Sequence, residues 1–335
     1  MRSLTIPDGY CSKLTSRQTQ IAIKKVKDIV QLNLSQALKL DRVTAPIIVT
    51  QESGINDNLS GVERTVAFTM KEIEGTAEVV QSLAKWKRCA LHKYGYPAGE
   101  GIYTDMNAIR RDDSVDNIHS IFVDQWDWES VITEDQRSIE FLYETVRKIV
   151  AAIANAKEEV NKLLPVLNHT INMDVFFITS QELEDMYPDM TGKERENTIV
   201  KKYGTVFISQ IGCRLKSGNK HDDRAPDYDD WALNGDILFY NPVLDNALEL
   251  SSMGKRVNAK SLMAQLEEDN KTDRLKYPYH QDVLNNVLPL TIGGGIGQSR
   301  VCMLLLEKAH IGEVQVSIWP EDMIQKCKEA GIQLL

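Results

Sequence analysis

The sequence predicts a mixed α and β protein organised as one domain over residues 1–335. Three observations lead there. Two long stretches carry apolar residues at helical spacing, and short runs between them alternate as strands do. No repeat, low-complexity tract or Pro/Gly/Ser-rich linker separates two halves. A chain of this length buries roughly three quarters of its unfolded surface, so its core needs no covalent staples.

Taken in order, residues 15–38 put Ile21, Val26, Ile29, Val30 and Leu34 near helical spacing, with Thr15 or Ser16 placed to cap the helix. DRVTAPIIVT (41–50) enters a β-branched run through a proline and reads as a strand. Residues 65–83 have the pattern of a hairpin broken at Glu74-Gly75. In 118–128 (IHSIFVDQWDW) the alternation sets Gln125, Asp127 and, just beyond, Glu129 on one face, with Trp126 and Trp128 on the other. That pattern suits a polar cleft wall, and a solvent-exposed sheet face looks similar. The clearest amphipathic helix covers 135–164, with Ile139, Leu142, Val146, Ile149, Ile153, Val160 and Leu163 on its apolar side. Strands are predicted at 174–180, 205–211 and 236–240, and helices at 259–268 and 299–310.

Composition narrows the function classes. The five cysteines are scattered and include no C-x-x-C pair, which argues against disulfides and zinc and for a reducing compartment. The N-terminal residues lack a secretory pattern, and no apolar run approaches the roughly 20 residues that span a bilayer. The expected location is cytoplasmic. A net charge of −9 lacks the basic footprint of a protein that tracks nucleic acid, so no nucleic-acid or membrane partner is expected.

Four segments carry chemistry. PLTIGGGIGQSR (289–300) has glycines at 293, 294, 295 and 297, which permit unusual torsions and close approach. A helix behind them presents free N–H groups to an anion, with Arg300 in its first turn. It matches neither G-x-G-x-x-G nor a P-loop, and glycines alone suit a flexible turn equally well. DYDDWALNGD (227–236) and ELSSMG (249–254) put Asp227, Asp229, Asp230, Asp236 and Glu249 on short connections. Paired carboxylates there suit Mg²⁺ with a substrate phosphate, although any single Asp also suits a solvated surface. In QSLAKWKR (81–88), Lys85 and Lys87 share a face if the segment is a strand, and either could anchor a carboxylate or lie on the surface. The loop GINDNLSG (54–61) holds Asp57 among ordinary loop residues. The histidines form no metal or triad spacing.

Together, DNLSG (57–61), QSLAKWKR (81–88), GEGIYTDMNAIR (99–110), HSIFVDQWDWE (119–129), RAPDYDDW (224–231), NGDIL (234–238), ELSSMG (249–254) and TIGGGIGQSR (291–300) resemble asparagine synthetase type A, the aspartate–ammonia ligases. The likeness spans residues 40 to 320. It implies an α+β fold, a mostly antiparallel sheet flanked by helices, like the catalytic core of class II aminoacyl-tRNA synthetases, and a homodimer. It also implies that aspartate, ATP and ammonia are the substrates, that a β-aspartyl-adenylate is the intermediate, and that Mg²⁺ takes part.

Carried over by position, the resemblance assigns Arg110 to the α-phosphate and Arg300 to the nucleotide. Ser120, Val123, Arg224, Asp236, Glu249 and Gly295 complete the ATP site, with Asp236 and Glu249 as Mg²⁺ ligands. Ser82, Lys87, Gln125, Asp127 and Ser251 form the aspartate pocket, and Asp57 and Asp229 stand near the amidation step. Two departures are visible: only Ala232 and Leu233 separate DYDDW from NGD, where some members carry a longer insert, and Gln81 replaces a frequent histidine. Arg2 stands where glutamine-dependent synthetases carry their nucleophilic cysteine, so free ammonia is the expected nitrogen donor. The rival readings are an aspartyl- or asparaginyl-tRNA synthetase, which needs an anticodon-binding segment, and a non-catalytic paralogue, which tends to lose the motif arginines and metal acids.

Overall fold

A computed structural model of the protein describes residues 4–56, Leu59 and 63–335. Asp57 lies outside the described residues. Helix α1 (Ser16–Leu38) begins at a capping box, in which the Thr15 hydroxyl accepts the Gln18 N–H and Gln18 accepts the Thr15 N–H. It ends at Lys39 in the left-handed region. The predicted strand at 41–50 is two strands, β1 (Leu40–Arg42) and β2 (Ile48–Thr50), in different sheets. Pro46 between them has no N–H to give a ladder. Strands β3 (Ala67–Thr69) and β4 (Thr76–Val79) form the expected hairpin, and β4 also pairs with β2 to give a small three-stranded sheet. Helix α2 (Ala84–Tyr94) follows, so Lys85 and Lys87 are helical and do not share a strand face.

The main sheet uses β5 (Gly101–Ile109), β6 (Phe122–Val131), β7 (Phe176–Thr179), β8 (Thr205–Ser209), β9 (Asp229–Asn241), β10 (Asn246–Arg256) and β11 (Thr291–Gly297). With β1 its order is β1-β5-β6-β11-β10-β9-β8-β7. Only the edge pairs β1–β5 and β7–β8 are parallel; every interior pair is antiparallel. Helix α3 (Ile139–Leu163) lies between β6 and β7. Helices α4 (Ser180–Met186), α5 (Gly192–Tyr203), α6 (Ala259–Glu268), α7 (Pro278–Leu284), α8 (Gln298–Leu305) and α9 (Glu321–Glu329) complete the described α-helices. None of the described helices is long and apolar enough to cross a membrane.

Period-2 alternation divides the sheet. One face packs Trp126, Trp128, Ile237, Phe239, Met253, Ile292 and Ile296 against α1, α3 and α8. Leu142, Val146, Ile149, Val150 and Ile153 of α3 are all fully buried there, each worth about 1.5–3 kcal/mol. On the other face α2 covers β5, β6 and β11, and α5 covers β8, β9 and β10. The Asp127–Gly295–Ser252–Asp236 row crosses this face on four neighbouring strands. Ala232 and Leu233 lie inside the continuous strand β9, so the short connection seen in the sequence is not a loop.

Candidate active site

The glycine segment is β11 itself. None of Gly293, Gly294, Gly295 and Gly297 has a positive φ, so torsional freedom is not their role. Close approach is. A Cβ on Gly293 would sit 2.0 Å from Glu129 Oε2, and one on Gly295 2.4 Å from Gln125 Oε1. The missing side chains make room for β6 carboxylate and amide groups lying across the neighbouring strand.

Farther along the same sheet face, under α2, lies a buried ionic cluster. The Lys87 ammonium donates to Asp127, to the Trp128 carbonyl at 3.0 Å and to the Gly294 carbonyl at 3.2 Å. All three of its protons are thereby used, and pairing a substrate carboxylate requires one of them to be exchanged. Arg256 donates to Glu129 at 2.7 Å and to Asp229, and Thr291 donates to Glu129 at 2.6 Å. Burial alone would raise the Glu129 carboxyl; Arg256 and Lys87 outweigh it and hold it below its ordinary value. Asp229 goes the other way: burial pushes it up despite Arg256.

Beside this cluster is a cleft of about 620 Å³. Arg110, Ser120, Val123, Gln125, Arg224, Glu249, Gly295 and Arg300 all line it, with Phe122, Tyr228 and Ser252. Arg300 is held by the Glu249 carbonyl at 3.0 Å and the Ile118 carbonyl at 3.3 Å, with the Glu249 carboxylate 3.7 Å away. Arg110 differs: its buried Nε has no hydrogen-bond partner among the described residues. A buried guanidinium nitrogen left unpaired beside a cleft is suited to an anion that enters it. Arg224 pairs with Asp236 at 2.6 Å.

Burial, joined by Glu249 and Asp222, pushes the Asp236 carboxyl up to about 7 against the opposing pull of Arg224. Among the described residues no three His, Cys, Asp or Glu side chains gather as a ready-made metal cage. Mg²⁺ rarely needs one, since it binds through one or two carboxylates and substrate phosphates. Asp236 and Glu249 fit that arrangement, because the crowding of Asp236 by Glu249 and Asp222 is repulsion that a divalent cation relieves.

Other predicted residues fall elsewhere. Ser251 pairs with Ile296 and faces the helical core, where its buried hydroxyl has no partner among the described residues. A bulge at Leu250 shifts the register by one residue, leaving Ser252 on the cleft side with a hydrogen bond to Asp236. Ser82 sits at the start of α2, accepting the Ala84 N–H at 3.2 Å, and is not among the cleft-lining residues. Asp230 is taken by Arg137. Asp227 is fully buried; burial would raise it, but Lys85, His280 and Arg274 hold it well below the carboxylate range. Asp227 and Lys85 are therefore removed from the cleft. Sequence reading missed Arg256, Ser252, Asp222 and Phe122. For Arg256 a signal existed: it continues the even-numbered face of β10 that carries Ser252 and Gly254.

A larger open groove of about 1200 Å³ lies along α4, α5 and residues 214–223. Its charges largely neutralise one another, as in Lys220–Asp269, Lys216–Asp185 and Arg195–Glu184. It meets the cleft at Asp222 and Asp223.

Comparison with known proteins agrees with this geometry. The aspartate–ammonia ligase family model matches residues 17–331. Aspartate–ammonia ligases of Ruminiclostridium cellulolyticum and Clostridium tetani are each 56% identical to the chain, covering 100% and 99% of it and 100% and 98% of their own lengths. In fold the chain is similar to asparaginyl-tRNA synthetase of Entamoeba histolytica in complex with asparaginyl-adenylate (TM-score 0.63, 14% identity), covering 90% of this chain and 66% of that one. The asparaginyl-tRNA synthetase of Pyrococcus horikoshii gives the same TM-score, 0.63, at 16% identity, with 90% and 70% covered. The chain thus spans about two thirds of those longer proteins. With its cleft arginines on a synthetase-like sheet and its likeness running end to end, the chain belongs to the aspartate–ammonia ligase family.

Proposed function

We propose that this protein is an ammonia-dependent asparagine synthetase, converting aspartate, ATP and ammonia to asparagine, AMP and pyrophosphate in one catalytic unit spanning residues 1–335. The β-carboxylate of aspartate is a poor electrophile and needs activation. One of its oxygens attacks the α-phosphorus of ATP, the bond to the β-phosphate oxygen breaks, and pyrophosphate leaves. Ammonia then attacks the acyl carbon of the β-aspartyl-adenylate, expelling AMP and losing a proton.

Arg110 is the proposed partner of the α-phosphate, where its Nε, unpaired among the described residues, meets charge that grows as the phosphorus is attacked. Arg300 and Arg224 hold the rest of the nucleotide. Gln125, Lys87 and Asp127 orient aspartate from the β6 side of the floor. Asp57 and Asp229 are the proposed proton acceptors at amidation. Mg²⁺, held by Asp236 and Glu249, would neutralise charge on the phosphate oxygens. A cleft that excludes water protects the adenylate from hydrolysis. The reading includes a cytoplasmic homodimer that needs no nucleic acid.

The observation that carries this reading is the family match along nearly the whole chain, together with a cleft-lining arginine, Arg110, whose buried Nε has no hydrogen-bond partner among the described residues. The test is aspartate-dependent AMP and pyrophosphate release, with asparagine scored under ammonium or glutamine. AMP and asparagine with ammonium, and little with glutamine, are expected. Labelled β-carboxylate oxygen should appear in AMP; label in inorganic phosphate would overturn the adenylate route. Adenylation without asparagine would favour another acceptor.

A further inference from the structure

The first turn of α8, which carries Arg300, is gripped by two carboxylates, of which Asp124 lines the edge of the cleft together with Ser299 and Gln315. Asp124 Oδ1 on β6 accepts the Ser299 N–H at 3.0 Å and the Gln315 amide at 3.4 Å, while Gln315 also donates to the Ser299 hydroxyl at 3.0 Å. On β5, Asp105 Oδ1 accepts from the Gln298 side chain at 2.9 Å. Asp105 stands opposite Trp126 and Asn107 opposite Asp124, so both carboxylates lie on one face of adjacent strands.

Each carboxylate uses its other oxygen outward. Asp124 Oδ2 takes the Lys27 ammonium of α1 at 3.0 Å, and Asp105 Oδ2 takes the Arg42 guanidinium of β1 at 2.9 Å. The two arms therefore run from neighbouring elements, α1 and β1, through β6 and β5, to consecutive residues just before Arg300. Ser299 and Gln298 are buried, as is Asp124. Negative charge at a helix N-terminus is favourable, and a carboxylate pinned on both sides fixes where the turn sits.

We infer that Asp124 and Asp105 are positioning residues for Arg300, set in place by Lys27 and Arg42. The inference rests on the reading of the cleft as the nucleotide site. The Lys27–Asp124 arm dominates, because Asp124 is buried, whereas Arg42 and Asp105 are 53% and 34% exposed and solvent screens them.

The test is steady-state kinetics of the full-length enzyme with ATP and aspartate varied separately, for Lys27→Met, Lys27→Arg, Arg42→Met and Asp124→Asn. The expected result is a KM for ATP raised about fivefold in Lys27→Met and less in Arg42→Met, with the KM for aspartate unchanged and ATP affinity restored in Lys27→Arg. An unchanged KM for ATP, or equal rises in both KM values, in variants that remain folded by circular dichroism would overturn the inference. Should Asp124→Asn not fold, the lysine series alone decides. A wild-type enzyme with no ATP-dependent turnover would instead refute the proposed function.

Discussion

Gly293 and Gly295 offer a sharp contrast, because both would clash as alanine but against different neighbours. At Gly293 the new methyl meets Glu129 Oε2 at 2.0 Å and the Trp128 carbonyl at 2.6 Å. Glu129 is fully buried and tied to Arg256 at 2.7 and 2.9 Å and to Thr291 at 2.6 Å, so it has nowhere to go without leaving the arginine. Breaking a buried ion pair costs about 3–5 kcal/mol. Gly293→Ala should lose about that much stability. At Gly295 the three nearest atoms to the methyl all belong to the Gln125 amide, at 2.4 Å and beyond, and Gln125 borders the open cleft. That side chain can swing aside, so Gly295→Ala should cost about 1–2 kcal/mol at most. It should nonetheless lose activity, because the displaced amide and the methyl occupy the cleft floor. Guanidinium denaturation at one fixed protein concentration, alongside turnover, reads both. A Gly293→Ala variant within about 1 kcal/mol of wild type would refute the reasoning that Glu129 is immobile.

Three further outcomes are expected. Ser251→Ala should leave activity and stability nearly unchanged, since its buried hydroxyl has no described partner to lose, while Ser252→Ala should weaken ATP use; the KM for ATP separates them. Lys87→Met should destabilise the fold by about 3–5 kcal/mol by stranding Asp127, and the loss should persist without substrate in a thermal melt. His310 is buried, its ring held down to about 4 by burial, and its Nδ1 accepts the Gly312 N–H at 3.0 Å. The fold favours the neutral ring, so this contribution is fully present above the unfolded value near 6.5 and is lost as pH falls from about 6.5 towards 4. The loss reaches about 3 kcal/mol, and His310→Asn should flatten that part of the stability–pH curve.

Much of the fold was legible because its pattern was local. The helix at 15–38 announced itself by apolar spacing and a capping Thr or Ser at its start, which the structure resolves to Thr15, and 118–128 correctly separated Gln125, Asp127 and Glu129 from the two tryptophans. Helix α2 escaped notice because Lys85, Lys87 and Arg88 look like surface residues, although all three are buried in ionic or carbonyl contacts from distant segments. Asp105 of β5 gave no signal either, because its part in the grip on α8 exists only in the tertiary fold. The acidic residues of 227–236 were indistinguishable in sequence. Arg137, Arg256 and Arg224 divide them, since each carboxylate is assigned by the cation that reaches it. Ser251 was exchanged with Ser252 by a bulge that carries no sequence mark.

That bulge also bears on how the strand can change length. In β10 the pairing steps from Glu249 opposite Leu238 to Ser251 opposite Ile237, leaving Leu250 as the extra residue. The two halves of the strand are therefore out of phase, and only the bulge reconciles Glu249 and Ser252 on one side. Removing a single residue elsewhere between Asn246 and Glu249 would turn part of the strand over and send acidic and apolar groups to the wrong faces. Removing Leu250 itself would join Glu249 to Ser251 in an even ladder and leave both facing as they do now. Homologous chains that differ in length by one residue here should thus carry the gap at the bulge, where the sheet absorbs it.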